Sequence, residues 1–171
     1  MNTPSVMLAA PESEQLVVAY RAPASLIPDP RNARTHPRKQ VEQIAQSIRA
    51  FGFTNPILID AEGRIIAGHG RLLAARQIGL AEVPPITLPH LSEAQKRALR
   101  LADNKIALGA GWDLEILKLE LSELAVLDVD LDLSLTGFSS GEIDVVLNGQ
   151  PDPDDELVLH PMNNLPTPPR R

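Results

Sequence analysis

The stretch 56–79 limits the fold more than any other part of this chain. Two apolar runs, 56–59 and 64–67, flank a turn that contains glycine, and this pattern predicts a β-hairpin. The segment Gly68–Arg71 follows at once, and the apolar spacing beyond it predicts a helix over 71–78 that ends at a glycine. A strand, a glycine-rich turn and a helix in direct succession indicate a small α+β domain with a ligand site at the turn.

The residues of this turn have the chemistry of a phosphate site. Gly68 and Gly70 let the backbone approach a ligand closely, and the helix that follows offers unpaired N–H groups at its N-terminus. Arg71 lies in the first turn, where the helix dipole disfavours a cation, and an anion between the helix end and Arg71 would remove that conflict. His69, between the two glycines, is a further candidate for phosphate binding. The alternative is a tight turn whose arginine points into water.

The rest of the chain alternates short strand patterns with helix patterns. Apolar residues make up 43% of the chain, which is enough for a core. We predict strands at 16–20 and 83–88, the second at a sheet edge because of its two prolines. Helices are predicted at 38–51, at 92–108 from a capping box, from Asp113 through Leu124, and from Ser139 through Leu147.

Charge divides the chain into two parts. Residues 1–111 contain 13 Lys and Arg against 9 Asp and Glu, whereas residues 112–171 contain 3 against 13. Only the first part can face phosphate without repulsion. The predicted organisation is a disordered lead-in at 1–15, an α+β domain with a small mixed sheet at 16–110, an acidic helical extension at 111–149 and a disordered Pro-rich tail at 150–171.

Two further groups are candidates for binding. A loop with Arg31, Arg34, Arg38 and Lys39 holds four positive charges in nine residues and no acid, which attracts phosphate or DNA, although a solvated loop is the alternative. Asp103 and Asn104 adjoin in the 92–108 helix, and their oxygens suit Mg²⁺, although ordinary helix-surface polarity explains them equally.

Three features that the sequence lacks exclude several classes of protein. The chain has no cysteine, which excludes disulfides and thiolate chemistry. It has no apolar run of membrane-spanning length and no signal-peptide pattern, so we expect a soluble, cytoplasmic protein with no membrane partner.

Three stretches in order resemble the ParB/sulfiredoxin superfamily: the basic loop with the helix and strand after it (27–60), GRIIAGHGRLLAARQIGLAEVP (63–84), and ALRLADNKIAL (98–108). The resemblance implies an α+β ParB-like domain that binds CTP or ATP with Mg²⁺. By position, it implies phosphate contacts from Gly68, Gly70 and Arg71, helped by Arg34. It also implies that Asn104 supports the metal and that Asp103 replaces the family's glutamate.

This sequence differs from the family pattern at several positions, and these differences limit which family activities we expect of it. His69 and Gly70 replace the usual Glu and Arg, and the third stretch lacks its Gln-Arg end, so hydrolysis is left open. The missing cysteine excludes sulfiredoxin activity. The acidic segment after residue 111 does not resemble a helix-turn-helix, so we expect no centromere-type DNA recognition. The GHGR form is most similar to ParB-like domains at the front of phage and bacterial DNA methyltransferases, so this chain is either a stand-alone regulator or a truncated fusion.

Three functional hypotheses follow from the sequence. The first is a nucleotide-responsive module that associates with DNA, directly or through a methyltransferase or replication partner, with homodimerisation as one option. The second is a metal-dependent nuclease with Asp103 as candidate catalytic residue. The third is an interaction adaptor that binds no nucleotide.

Overall fold

The computed structural model describes residues 16–149. The predicted lead-in at 1–15 and tail at 150–171 lie outside the described residues. Within residues 16–149, five α-helices, two short 3-10 helices and three short strands form an α+β fold, which is the predicted class. The helices are α1 (Arg38–Phe51), α2 (His69–Gln77), α3 (Glu93–Ala107), α4 (Leu114–Leu127) and α5 (Ser140–Asn148). The strands are β1 (Ile57–Ile59), β2 (Ile65–Ala67) and β3 (Pro85–Thr87).

The sheet is mixed and has the order β2-β1-β3. Strand β1 pairs antiparallel with β2 through the predicted hairpin and parallel with β3. The proline-bearing strand is thus at the edge of the sheet, as the sequence predicts. Its outer side meets the chain at 18–21 only through isolated bridges, so the strand predicted at 16–20 does not form. Pro84 and Pro85 have no N–H to donate, which prevents a continuous ladder there.

The main core lies between the sheet and α2. It contains residues from both strands of the hairpin, from α2 and from the segments on either side: Leu26, Ile57, Ile59, Ile65, Leu72, Ala75 and Val83. Helix α1 packs on the other face of α2 through a second cluster of Val41, Ala45 and Ala74. These two clusters fix the N-terminus of α2 against both α1 and the sheet.

Helix α2 begins earlier than the sequence indicated. We predicted a helix over 71–78, but the structure has it at His69–Gln77. Gly68 takes the left-handed conformation at φ +99° and turns the chain from β2 directly into the helix, so His69 and Gly70 belong to the first turn. The difference matters because it puts the backbone of both residues at the helix N-terminus.

Helices α4 and α5 form a separate small cluster. Leu117 and Leu121 of α4 pack against Ile143 of α5. The predicted caps are present: Asp113 accepts from the N–H groups of the first turn of α4, and Ser139 forms a capping box with Glu142. A 3-10 helix, Leu133–Thr136, joins the two helices and packs against α1. Across the described part of the chain, no helix combines the length and apolarity that crossing a membrane requires.

Candidate functional site

The N-terminus of α2 opens into a cavity of about 200 Å³. The basic loop, the start of α1, the strand-to-helix turn and the end of α3 form its walls. The lining residues are Asn32, Arg34, His36, Gln40, Ile44, Ala67, Gly68, His69, Gly70, Arg71, Asp103, Asn104 and Ala107. The structure therefore brings together Arg34, the Gly68–Arg71 turn and the Asp103–Asn104 pair, three groups that are separate in the sequence.

The glycines of the turn are closely packed. A Cβ atom on Gly68 would lie 3.0 Å from Nη2 of Arg71 and 3.3 Å from Cγ1 of Ile57. A Cβ atom on Gly70 would lie 3.0 Å from Nδ1 of His36 and 3.1 Å from Cδ1 of Ile44. Any larger side chain at these positions would intrude on the cavity wall, so the backbone itself forms the floor of the cavity.

Arg71 turns into the protein rather than into water. Its Nη2 donates to the carbonyl oxygen of Pro56 at 3.1 Å, and its buried Nε has no hydrogen-bond partner among the described residues. Burial lowers the pKa of Arg71, and the charge of Asp103 acts in the opposite sense. A half-buried guanidinium whose Nε is buried and unpaired among the described residues is an incomplete site that favours an anion.

His69 is neutral at physiological pH. Burial, and after it the charges of Arg100 and His36, lower its pKa from 6.5 to about 4 against the opposing charge of Asp29. Its Nε2 accepts the backbone N–H of Asp29 at 3.2 Å, so the proton of the neutral ring is on Nδ1. His69 can therefore donate one hydrogen bond to a ligand but adds no positive charge to the cavity.

The end of α3 closes the cavity from the opposite side. Nδ2 of Asn104 donates to the carbonyl oxygen of Arg100 at 2.8 Å, which leaves its Oδ1 as the acceptor available to a ligand. Nη1 of Arg34 approaches the carbonyl oxygen of Asn104 at 3.5 Å. Asp103 and Asn104 thus offer one carboxylate and one amide oxygen. Across residues 16–149, no group of three or more His, Cys, Asp or Glu side chains is arranged to hold a metal ion.

The other basic residues do not reach this cavity. Arg31, Arg38 and Lys39 are exposed and are not among its lining residues, whereas Arg34 is half-buried in its wall. The predicted basic patch therefore divides into one arginine at the cavity and three exposed cations outside it.

Within the described part of the chain, three larger hollows share lining residues with the cavity. One, of about 270 Å³, has Asp29 and His69 in its lining. The remaining two extend the space for a ligand. One, of about 610 Å³, runs between the basic loop and α3 and shares Arg34 and Asn104 with it. The other, of about 310 Å³, shares Arg71 and is lined on its far side by residues 135–137. Nε2 of Gln43 on α1 donates to the carbonyl oxygen of Gly137 at 3.1 Å, which holds the segment after the 3-10 helix against this hollow. Together the spaces are large enough for a nucleotide.

Asp29 and Arg100 are a buried pair that the sequence analysis missed. Both residues are less than 9% exposed, and Nη2 of Arg100 donates to Oδ2 of Asp29. Arg100 precedes Asp103, Asn104 and Ala107 at helical spacing, so a projection of α3 would have put it on the cavity side. Asp29 gives no comparable signal, because the two residues are 71 positions apart.

Comparison with protein families accounts for nearly all of the chain. Residues 9–105 match the model of the ParB N-terminal domain, and residues 115–170 match the model of the ParB-methyltransferase HTH domain. The second match overturns our expectation that the segment after residue 111 is unlike a helix-turn-helix. We had judged that segment by its acidic, leucine-rich composition, which says little about whether its helices pack as such a motif.

Individual relatives agree with the family models. The ParB-like nuclease domain-containing protein YnaK of Escherichia coli (strain K12) is 49% identical over 85 residues, which cover 50% of this chain and 98% of that protein. The probable chromosome 2-partitioning protein ParB of Deinococcus radiodurans is 40% identical over 78 residues, which cover 41% of this chain. The matched region is only 26% of the Deinococcus protein.

Among solved structures, the fold resembles that of the C-terminally truncated chromosome-partitioning protein ParB from Caulobacter crescentus complexed with CTP-gamma-S. The TM-score is 0.64 at 21% identity, and the match covers 76% of each chain. At this identity the likeness establishes the fold. The family models and the relatives together show that this chain belongs to the ParB family and carries its N-terminal domain.

Proposed function

We propose that this chain is a nucleotide-binding, DNA-associated module, whose cavity at Gly68–Arg71 binds the phosphates of CTP or ATP together with Mg²⁺. The observation that carries the proposal is the buried Nε of Arg71, which has no partner among the described residues and belongs to a cavity with a glycine floor. A triphosphate would supply the missing acceptor.

The electrostatics of the cavity support an anionic ligand. Taking an arginine out of water is unfavourable, as the lowered pKa of Arg71 indicates, and an anion offsets that cost. No side chain caps the N-terminus of α2, so its first N–H groups are free to point at a phosphate. Arg34 adds a second cation from the opposite wall. Phosphate is the ligand that uses all three features at once.

Asp103 and Asn104 fit a magnesium ion that accompanies the nucleotide. Mg²⁺ prefers oxygen ligands and usually keeps several waters while it shares phosphate oxygens with the protein. One carboxylate and one amide oxygen beside a phosphate cavity meet this requirement. The ion would neutralise part of the triphosphate charge and so allow Asp103 to lie beside it.

CTP is the first nucleotide to test, because the structural neighbour from Caulobacter crescentus is described as complexed with CTP-gamma-S. The replacement of the family's Glu and Arg by His69 and Gly70 affects the residues nearest the phosphates. We therefore propose binding and leave hydrolysis outside the proposal.

DNA association rests on separate features. Arg31, Arg38 and Lys39 are exposed around the start of α1, where they can contact backbone phosphates without competing for the cavity. The match of residues 115–170 to a helix-turn-helix model supports contact with DNA. We propose that DNA is reached directly or through a methyltransferase or replication partner, with a homodimer as the assembly to test first.

A metal-dependent nuclease is a second candidate, because the relative YnaK is named for a ParB-like nuclease domain. In this chain Asp103 is the carboxylate that lines the cavity. Incubation of plasmid DNA with Mg²⁺ or Mn²⁺ tests the idea. Cleavage that disappears in Asp103→Ala would support it, and intact plasmid would reject it.

The binding proposal is tested by calorimetric titration of the full chain with CTP, ATP, GTP and inorganic triphosphate, each with Mg²⁺. We expect Arg71→Ala to weaken binding by about 10- to 100-fold, the usual cost of losing a hydrogen bond to a charged group. Arg49→Ala is the matched control, because Arg49 is exposed on α1 and, among residues 16–149, forms its ion pair with Glu42. If none of the four ligands binds, or if both variants bind alike, the proposal fails and the adaptor hypothesis is favoured.

A further inference from the structure

Asp29 contacts three of the four segments that form the walls of the cavity. Its Oδ1 accepts the backbone N–H of Arg31 at 2.8 Å, which fixes the start of the basic loop. Its own N–H donates to Nε2 of His69 at 3.2 Å, which ties the loop to the first turn of α2. Its Oδ2 accepts from Nη2 of Arg100, which ties both to α3.

The other partner of this pair extends the connection to the metal-binding candidates. The carbonyl oxygen of Arg100 accepts from Nδ2 of Asn104, one turn further along α3. Neither Asp29 nor Arg100 lines the cavity at Gly68–Arg71. Arg100 lines the adjoining hollow of about 610 Å³, and Asp29 lines another of about 270 Å³. Asp29 therefore acts on the cavity through the residues that it holds.

A buried ion pair contributes little net stability, because the cost of removing both charges from water offsets most of their attraction. It does fix geometry, since each charge has one partner of the right sign within reach. Lys96 of α3 forms two further ion pairs, one with Glu93 of the same helix and one with Asp60, which joins α3 to the turn of the hairpin. The pairs Asp29–Arg100 and Asp60–Lys96 fix the same helix at different points, and of these two only Asp29–Arg100 lies next to the cavity walls.

We infer that Asp29 is a positioning residue for nucleotide binding: with Arg100 as its partner, it sets the distance between the basic loop, the first turn of α2 and the Asp103–Asn104 end of α3. This inference rests on the proposed function. It adds that nucleotide affinity depends on Asp29 although Asp29 touches no phosphate. Asp29 affects affinity by fixing the geometry of the cavity and not by changing the overall stability of the fold.

The test compares Asp29→Asn, Arg100→Met and Lys96→Met in the full chain. Asp29→Asn keeps the size of the side chain and the acceptor for Arg31 but removes the charge, so it is the variant that retains the fold best. Lys96→Met is the matched control, because it breaks the ion pairs that Lys96 of the same helix forms with Asp60 and Glu93. For each variant, the Kd for Mg²⁺ with CTP is measured by titration and the midpoint of thermal unfolding by circular dichroism.

We expect Asp29→Asn and Arg100→Met to weaken binding about tenfold or more, the usual loss when a residue that orients binding groups is removed. Lys96→Met should bind within about twofold of wild type even if its unfolding midpoint falls equally. Arg100→Lys, which keeps the charge, should recover most of the affinity that Arg100→Met loses.

The inference is overturned if wild type binds while Asp29→Asn binds equally well, and the proposed function then stands. It is also overturned if Lys96→Met weakens binding as much as Arg100→Met, because stability alone would then explain the loss. A wild-type chain that binds no nucleotide rejects the proposed function itself.

Discussion

Replacing Gly68 by alanine tests whether the turn before α2 is built for a ligand. Gly68 has φ +99°, a conformation that costs an alanine roughly 1–2 kcal/mol. The new Cβ would also meet Nη2 of Arg71 at 3.0 Å and Cγ1 of Ile57 at 3.3 Å. The arginine tip can swing aside, but Ile57 is fully buried and yields only with strain, which adds about 1 kcal/mol. We expect Gly68→Ala to lose about 2–3 kcal/mol of unfolding free energy.

Gly79→Ala is the matched control for this prediction. Gly79 also has a positive φ, of +70°, but a Cβ atom there meets nothing within 4 Å. It therefore has the backbone cost alone, about 1–2 kcal/mol. With a urea m-value of about 1–3 kcal/mol per molar, Gly68→Ala should unfold at a urea concentration about 0.3–1 M lower than the control.

Nucleotide affinity separates the two variants further. Because Arg71 must move in Gly68→Ala, we expect binding of Mg²⁺ with CTP to weaken about tenfold or more, whereas Gly79→Ala should bind as wild type does. If both variants unfold at the same urea concentration and bind alike, the close packing around Gly68 has no role and the reasoning is wrong.

Three further predictions concern His69, α4 and α3. A fall in pKa from 6.5 to about 4 for His69 corresponds to at most about 3 kcal/mol, and about 1–2 after solvent screening. Because the pKa of His69 is lower in the folded state, this stability is present above pH 6.5 and is lost as the pH falls toward 4. We therefore expect the unfolding free energy of wild type, measured in urea titrations, to fall more between pH 6.5 and pH 4 than that of His69→Gln. Leu121→Ala removes a side chain that is 1% exposed and should cost about 2–5 kcal/mol, seen as lost helical circular dichroism at lower urea; an unchanged midpoint would contradict the α4–α5 core. Ser92→Ala removes the cap of α3 and should lower the unfolding free energy by about 1 kcal/mol, while Ser122→Ala, on the surface of α4, should change it little.

The features predicted correctly from the sequence are those set by short stretches of chain. The capping boxes at Ser92 and Ser139 mark the starts of α3 and α5, because a cap involves residues only three positions apart. The hairpin and the edge position of β3 likewise depend on local turn and proline chemistry.

The features that the sequence could not predict depend on contacts between distant residues. The buried pairing of Asp29 with Arg100 and the hydrogen bond from Gln43 to Gly137 each join segments that are 71 or more positions apart. The inward turn of Arg71 depends on the carbonyl oxygen of Pro56, which only the folded hairpin brings within reach. The gathering of Arg34, the glycine turn and Asn104 in one cavity could be expected only from the family resemblance.

The most direct test of the account is a two-dimensional ¹H–¹⁵N spectrum of the full chain, recorded without and with Mg²⁺ and CTP. We expect the largest shifts at the backbone amides of Gly68, Gly70 and Arg71, smaller ones at Arg34 and Asn104, and none at Gly79. A spectrum that does not change, or changes confined to the exposed loop around Arg31 and Lys39, would contradict the claim that the turn before α2 binds a nucleoside triphosphate.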